Sequence, residues 1–339
     1  MTVALLALTL AHAGPLGTED VDGGTWIDAR DDASEVLTPE QLALLEEQGP
    51  AAIVDGWDVA DGDWNDTVGI VYGGMEVGCT GTLIAPDLVL TAGHCISGAL
   101  GAVLDTNDIG DGSGEWIRAL RKIAYPRWGS TYDVGLIQLD TPSAVPPRAI
   151  ALDCILDTYM VDGAEVAAVG YGATDARGRR YVDQLQETRL EVTDHDCSTR
   201  DDDCIRSVQP DGEFIARGLD GTDTCFGDSG GPAYLLTDEG DYVVGVVSRG
   251  TRDSGATCGA GTIYVRADAV VPWIEDLSGY ELERPECPDG PPPEADSDLD
   301  PGPSADVGSE PAAGCSTAPG TAALTSLFLL LPLLRRRQE

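Results

Sequence analysis

The 339-residue chain carries 59 acidic against 20 basic side chains, a formal charge of −39. Such a surface repels phosphates and excludes nucleic acid as a partner. Forty-two glycines, 21 prolines and 6% aromatic residues suit turn-rich β structure, and nine cysteines without a C-x-x-C pair point to disulfides in an oxidising compartment, not to zinc.

The first thirteen residues run from an apolar stretch, Val3 to Leu10, into the small residues Ala11-His12-Ala13. They read as a secretion signal cleaved after Ala13; the basic lead-in is missing, and a buried N-terminal strand is the alternative. Residues 14–52 are acidic and polar. Thr38–Glu47 predicts a helix, with Thr38 as cap, Pro39 in the first turn and Leu42, Leu44 and Leu45 as a partial apolar face.

From Thr67 onward, short β-branched runs alternate with turns: Val68–Tyr72, Gly81–Ile84, Leu88–Thr91, Ile117–Ile123 and Val134–Leu139. This spacing predicts a small antiparallel barrel. Between them lies Thr91-Ala92-Gly93-His94-Cys95, holding one of only three histidines, and Asp133 opens the last apolar run. The loop Asp105–Asp111 is acidic enough to suggest calcium but lacks both an EF-hand spacing and a terminal glutamate, so it reads as solvated with no metal, calcium being the alternative. Pro142–Pro147 is a crossing to a second set of strands that includes Glu165–Val169, Thr188–Val192, Tyr242–Ser248 and Thr262–Arg266. His195 sits in a polar loop as a surface residue. Ala267–Leu277 predicts a short closing helix with Val270, Val271, Trp273 and Ile274 facing inward.

Within the second set stands Asp223-Thr224-Cys225-Phe226-Gly227-Asp228-Ser229-Gly230-Gly231-Pro232. A serine between glycines fits a tight turn that exposes its hydroxyl beside converging backbone N–H groups, giving a nucleophile and an oxyanion site from one stretch. Taken alone, Ser-Gly-Gly reads by default as part of a polar, glycine-rich hairpin. With His94 as base and Asp133 as orienting carboxylate, the parts of an activated nucleophile are all present.

Past Gly279 the composition changes. Residues 281–314 are acidic and proline-rich with little apolar content, as in an extended linker. Cys315, the apolar run Ala322–Leu334 and Arg335-Arg336-Arg337 then close the chain. The run is short for a full membrane span, and the arginines would stay cytoplasmic.

The order His94, Asp133, Ser229 with these flanks resembles the trypsin/chymotrypsin family of serine proteases over residues 53–278. The resemblance implies an all-β fold of two six-stranded antiparallel β-barrels with a short C-terminal helix. It implies a cofactor-free serine endopeptidase acting on protein or peptide substrates: His94 as general base, Asp133 orienting it, Ser229 attacking, and the N–H groups of Gly227 and Ser229 binding the oxyanion. Val169-Gly170-Tyr171-Gly172 resembles the family's Gly-Trp-Gly turn. Ile53-Val54-Asp55-Gly56 resembles the start of mature members, with Asp55 in place of a glycine. Residues 14–52 would then be a propeptide, and a cut after Ala52 would free an ammonium on Ile53 to pair with Asp228. Ala52 is not basic, which implies a separate activating protease. Family positions imply disulfides Cys79–Cys95 and Cys225–Cys258; proximity suggests Cys197–Cys204, Cys154–Cys287 remains as a pairing, and Cys315 is left over.

Asp223 stands where trypsin-like members place the carboxylate of the primary pocket, favouring Arg or Lys before the cut bond; a structural Asp223 with mixed preference is the alternative. Ser248-Arg249-Gly250 resembles the pocket wall, with Arg249 replacing an aromatic and free to pair with an acidic neighbour. Gly259, Gly261 and Thr262 fall near the opposite wall, and Thr262 would narrow the entrance. The C-terminal segment 315–339 resembles bacterial sorting tails of the MYXO-CTERM type, with a plain tail anchor as alternative. The expectation is a monomeric enzyme, secreted or held on the outer face of the cell envelope through that tail. The competing class is a non-catalytic binding or scaffold protein on the same fold.

Overall fold

The computed structural model describes residues 25–29, 53–54, 56–175, 177–178, 180–199, 203–218, 221–252 and 258–285. All belong to the first of two units into which the chain divides, residues 1–290 and 291–339. The expected secretion signal, the helix at Thr38–Glu47, Cys287 and the C-terminal tail lie outside the described residues.

The first barrel is built from β3 (Thr67–Val71), β4 (Val77–Ala85), β5 (Leu88–Thr91), β6 (Gly101–Leu104), β7 (Glu115–Ala124) and β8 (Gly135–Leu139), and closes where β7 pairs with β8. The second uses β9 (Glu165–Gly170), β10 (Gln186–Asp194), β11 (Glu213–Arg217), β12 (Pro232–Thr237), β13 (Gly240–Gly250) and β14 (Thr262–Arg266), closed by β10 on β11. All pairings within the barrels are antiparallel. Strand β10 shows why these residues choose this form. Successive side chains of a strand point to opposite faces, so Thr188, Leu190 and Val192 are buried while Glu191 and Thr193 face out.

Each barrel carries one extra two-residue strand. β2 (Trp57–Asp58) pairs with β10 at Gln186 and Glu187, and β1 (Ile27–Asp28) pairs with β7 at Lys122 and Arg121. The β1 pairing ties part of the expected propeptide to the body. The Arg121 guanidinium lies 4.4 Å from the Trp26 ring centroid, Trp26 Nε1–H donates to the Leu277 carbonyl oxygen (3.2 Å), and the Ala29 N–H donates to that of Leu120 (3.2 Å).

Helix α1 (Asp153–Tyr159), which buries Ile155, has only seven residues, too few for a periodic apolar signal. The closing helix begins as a 3-10 turn at Asp268–Val270 and continues as α2 (Val271–Ser278), with Val270, Val271 and Ile274 buried and Trp273 half-buried. Gly279 ends it in the left-handed conformation that glycine adopts at least cost. Beyond it, Leu282 packs into the core and Tyr280 donates to Asp87 (2.6 Å).

A buried polar knot joins the barrels. Asp66 accepts from Arg148 of the crossing segment (2.7 and 3.1 Å) and from Tyr234 of β12 (2.6 Å), while the Tyr234 ring stacks on Trp64 at 4.3 Å. Disulfides Cys79–Cys95, Cys197–Cys204 and Cys225–Cys258 are formed. Cys154 is also disulfide-bonded.

Candidate active site

His94 sits on a 3-10 turn, Gly93–Cys95, directly after β5. A Cβ on Gly93 would lie 2.9 Å from the Val134 carbonyl oxygen and 2.7 Å from Trp128 Cβ, so only glycine lets this turn approach the start of β8. Asp133 stands at that start. It accepts from the His94 backbone N–H on Oδ1 (3.0 Å) and from His94 Nδ1–H on Oδ2 (2.8 Å). With Nδ1 as donor, Nε2 is left with its lone pair, the form a general base requires.

The two groups shift each other. Burial pulls the imidazole pKa down, but the charge and hydrogen bond of Asp133 outweigh it and leave it above its ordinary value. Burial pushes Asp133 up, and His94 together with a hydrogen bond from Ser248 holds it below its ordinary value. That Ser248 bond, Oγ–H to Oδ2 at 2.8 Å, reaches Asp133 from β13 of the second barrel.

Ser229 is carried by the turn before β12. The turn is pinned across the seam by Thr80 of β4: its N–H donates to the Ser229 carbonyl oxygen (2.9 Å), and its Oγ1–H donates to that of Gly227 (2.7 Å). Gly230 has a φ of +82°, and a Cβ there would fall 2.4 Å from the Thr80 carbonyl oxygen and 2.1 Å from Thr91 Oγ1. The glycine after the serine is thus demanded by the close approach of the barrels. Among the described residues, the N–H groups of Gly227 and Ser229 donate to no protein acceptor.

His94, Asp133, Asp223, Ser229, Ser248 and Gly250 all line one cavity of about 640 Å³ at the seam. Asp223 is 1% exposed and accepts from Thr262 Oγ1 (2.8 Å), Thr224 N–H (2.9 Å) and Gly261 N–H (2.7 Å). Burial raises its pKa against these donors. Thr262 thus shares the carboxylate with anything that enters. Arg249 also lines the cavity and meets the acidic neighbour that its place in the wall left open: it forms a two-pronged pair with Glu213 (2.7 and 3.0 Å).

Ile53 and Asp228 are both fully buried, away from the cavity wall. The Val54 N–H donates to the Asp223 carbonyl oxygen (2.8 Å), which lays the start of the expected mature chain beside the serine-bearing segment. Asp228 accepts from Cys225 N–H (3.0 Å) and Gly172 N–H (3.2 Å). Burial pushes its carboxyl up to about 8. Among the described residues, one cluster of possible metal ligands, Cys79, His94 and Cys95, has both sulfurs committed to the disulfide. His195 lies elsewhere on the surface, paired with Asp162 at 2.8 Å.

Sequence reasoning missed Thr80, Glu213 and the bond from Ser248 to Asp133. All three act across chain separations that leave no local pattern, although Thr80 does adjoin Cys79.

Two closed six-stranded barrels, with His94, Asp133 and Ser229 lining one cavity, define a double-barrel protein of trypsin-like fold. The family model for trypsin matches residues 53–274, and the chain belongs to that family. It is 29% identical over 260 residues to serine protease 1 of Drosophila melanogaster, covering 72% of this chain and 90% of that protein. Two proteins of Phytophthora infestans named as glucanase inhibitors are similar too. Protein 3 is 30% identical over 217 residues (59% of this chain, 78% of the relative), and protein 4 is 34% identical over 189 residues (51% and 69%).

Proposed function

We propose that the chain is a serine endopeptidase made as a zymogen, secreted or displayed outside the cell, that cuts peptide bonds by acyl transfer to water. The observation that carries the reading is the His94–Asp133 pair facing the same cavity as Ser229. His94 Nε2 takes the Ser229 proton as the hydroxyl attacks the peptide carbonyl, then hands it to the leaving amine. Asp133 keeps the imidazole in the required tautomer and stabilises its charged form. The N–H groups of Gly227 and Ser229, which have no protein acceptor among the described residues, suit the oxyanion, and losing one such donor costs roughly 2.7–4 kcal/mol of barrier.

Activation is a cut after Ala52 by a separate protease. The new ammonium of Ile53 pairs with Asp228, a carboxyl that burial pushes up to about 8 and that forms no ion pair among the described residues. Asp223 makes Arg or Lys the favoured residue before the cut bond, within the room that Thr262 leaves. The disulfides fit an oxidising compartment, and the C-terminal tail is the proposed link to the envelope. The enzyme acts as a monomer.

The relatives named as glucanase inhibitors favour a second reading, a binding protein on this fold. A panel of peptides differing only before the cut bond, given to protein processed to begin at Ile53, separates the two. The enzyme reading predicts fastest hydrolysis after Arg or Lys, and a fall on the order of 10⁶-fold in kcat for Ser229→Ala. No hydrolysis of any peptide supports the binding protein.

A further inference from the structure

The reaction proposed above gives no task to Glu213, a carboxylate with no exposed surface, one residue behind the cavity wall. Its two oxygens are spent on Arg249, Oε1 to Nη1 (2.7 Å) and Oε2 to Nη2 (3.0 Å), and Oε2 also accepts from the Ile205 N–H (2.6 Å). Arg249 Nη2–H further donates to the Asp203 carbonyl oxygen (3.0 Å). The guanidinium is thereby held on three acceptors, and Nη1–H reaches a fourth, Ser248 Oγ, at 3.2 Å.

We propose that Arg249, held by Glu213, is a positioning residue that fixes the Ser248 hydroxyl as a donor to Asp133. The inference rests on the reading of His94, Asp133 and Ser229 as the reacting group. A guanidinium has no acceptor, so Ser248 Oγ must accept from it. An ionised Asp133 has no donor, so the single Ser248 proton must point at Oδ2. Without Arg249 the hydroxyl is free to rotate toward the cavity. With it, a chain of bonds runs from Glu213 through Arg249, Ser248 and Asp133 to the imidazole, and a charged donor on Ser248 strengthens the next link.

A freed Ser248 hydroxyl leaves Asp133, and the imidazole it holds, less firmly oriented toward Ser229, which lowers kcat. It also leaves more of the Asp133 charge on the imidazolium, which raises the imidazole pKa. Losing Arg249 therefore moves the acid limb of the activity profile to higher pH. Asp133 faces His94 directly; Asp203, Asp223, Arg249 and Arg252 line the same cavity, with Glu213 behind Arg249.

The test compares processed wild type with Arg249→Lys, Arg249→Gln and the double variant Arg249→Gln/Glu213→Gln. The double variant removes the buried pair without leaving one charge alone. The substrate is the single-residue nitroanilide that wild type cleaves fastest, too short to extend along the wall to Arg249. Arg249→Gln and the double variant should lose about tenfold in kcat with KM unchanged and an upshifted acid limb, and Arg249→Lys should recover part of the loss. The low-field proton resonance of His94 Nδ1–H should move in the same two variants. A double variant with wild-type kcat, pH profile and resonance overturns the proposal while the protease reading stands. Inactive wild type overturns both.

Discussion

Asp228 and Thr80 show how single side chains set the state of the site. In the unfolded chain the Asp228 carboxyl titrates near 3.8, and in the fold burial pushes it up to about 8. The fold therefore favours the protonated form. Its stabilising contribution is complete below the unfolded value and is lost as pH climbs toward the folded one. Urea unfolding of the uncleaved chain should show stability falling between about pH 4 and about pH 8, and Asp228→Asn should flatten that fall. An equal slope in the variant would show that Asp228 is not its source. Thr80 acts through position. Thr80→Val leaves the Gly227 carbonyl oxygen without its side-chain donor, with an expected loss of about 1–3 kcal/mol in stability and a fall in kcat at constant KM. Unchanged kcat with reduced stability would make Thr80 purely structural. His94, Asp133 and Ser229 were legible because each sits among residues that its own turn or strand demands, such as Gly93 and Gly230. Thr80 was not, because its work is done on a turn far along the chain.

The strands that were legible are those with β-branched runs between turn residues, as at Leu88–Thr91 and Thr262–Arg266, whose bounds match β5 and β14. β6, β11 and β12 escaped notice for physical reasons: β6 is short and built on Gly101 and Ala102, β11 opens on a charged residue, Glu213, that is buried only through its pairing with Arg249, and β12 opens on Pro232 directly after two glycines. Proline is tolerated there because the first residue of a strand need not donate to the ladder. β1 went unseen because its hold comes from Trp26 between Arg121 and the last turn of α2, not from any pattern of its own. Covering the edge of β7 also shields a row of backbone groups that would otherwise invite pairing. Trp26→Ala should cost the uncleaved chain about 1–3 kcal/mol, less than truncating a fully buried tryptophan, measured by chemical unfolding. An unchanged midpoint would mean that β1 merely rests on the barrel.

Across the whole molecule, the decisive feature is the seam. The knot of Asp66, Arg148 and Tyr234 fixes one barrel on the other, and the Thr80 clasp brings the serine turn up to the histidine turn. Neither was legible, since both join residues from separate barrels through buried polar contacts that leave no periodic trace. The fold itself was legible because motif order, cysteine placement and strand spacing agree. The account turns on an attacking Ser229 activated by His94, and covalent capture tests it most directly. Protein processed to begin at Ile53 is treated with a fluorophosphonate, and the adduct is located by mass spectrometry. The account predicts a single adduct on Ser229, absent in Ser229→Ala and formed far more slowly in His94→Ala. Processed wild type that stays unlabelled, or that labels equally fast without His94, would contradict it.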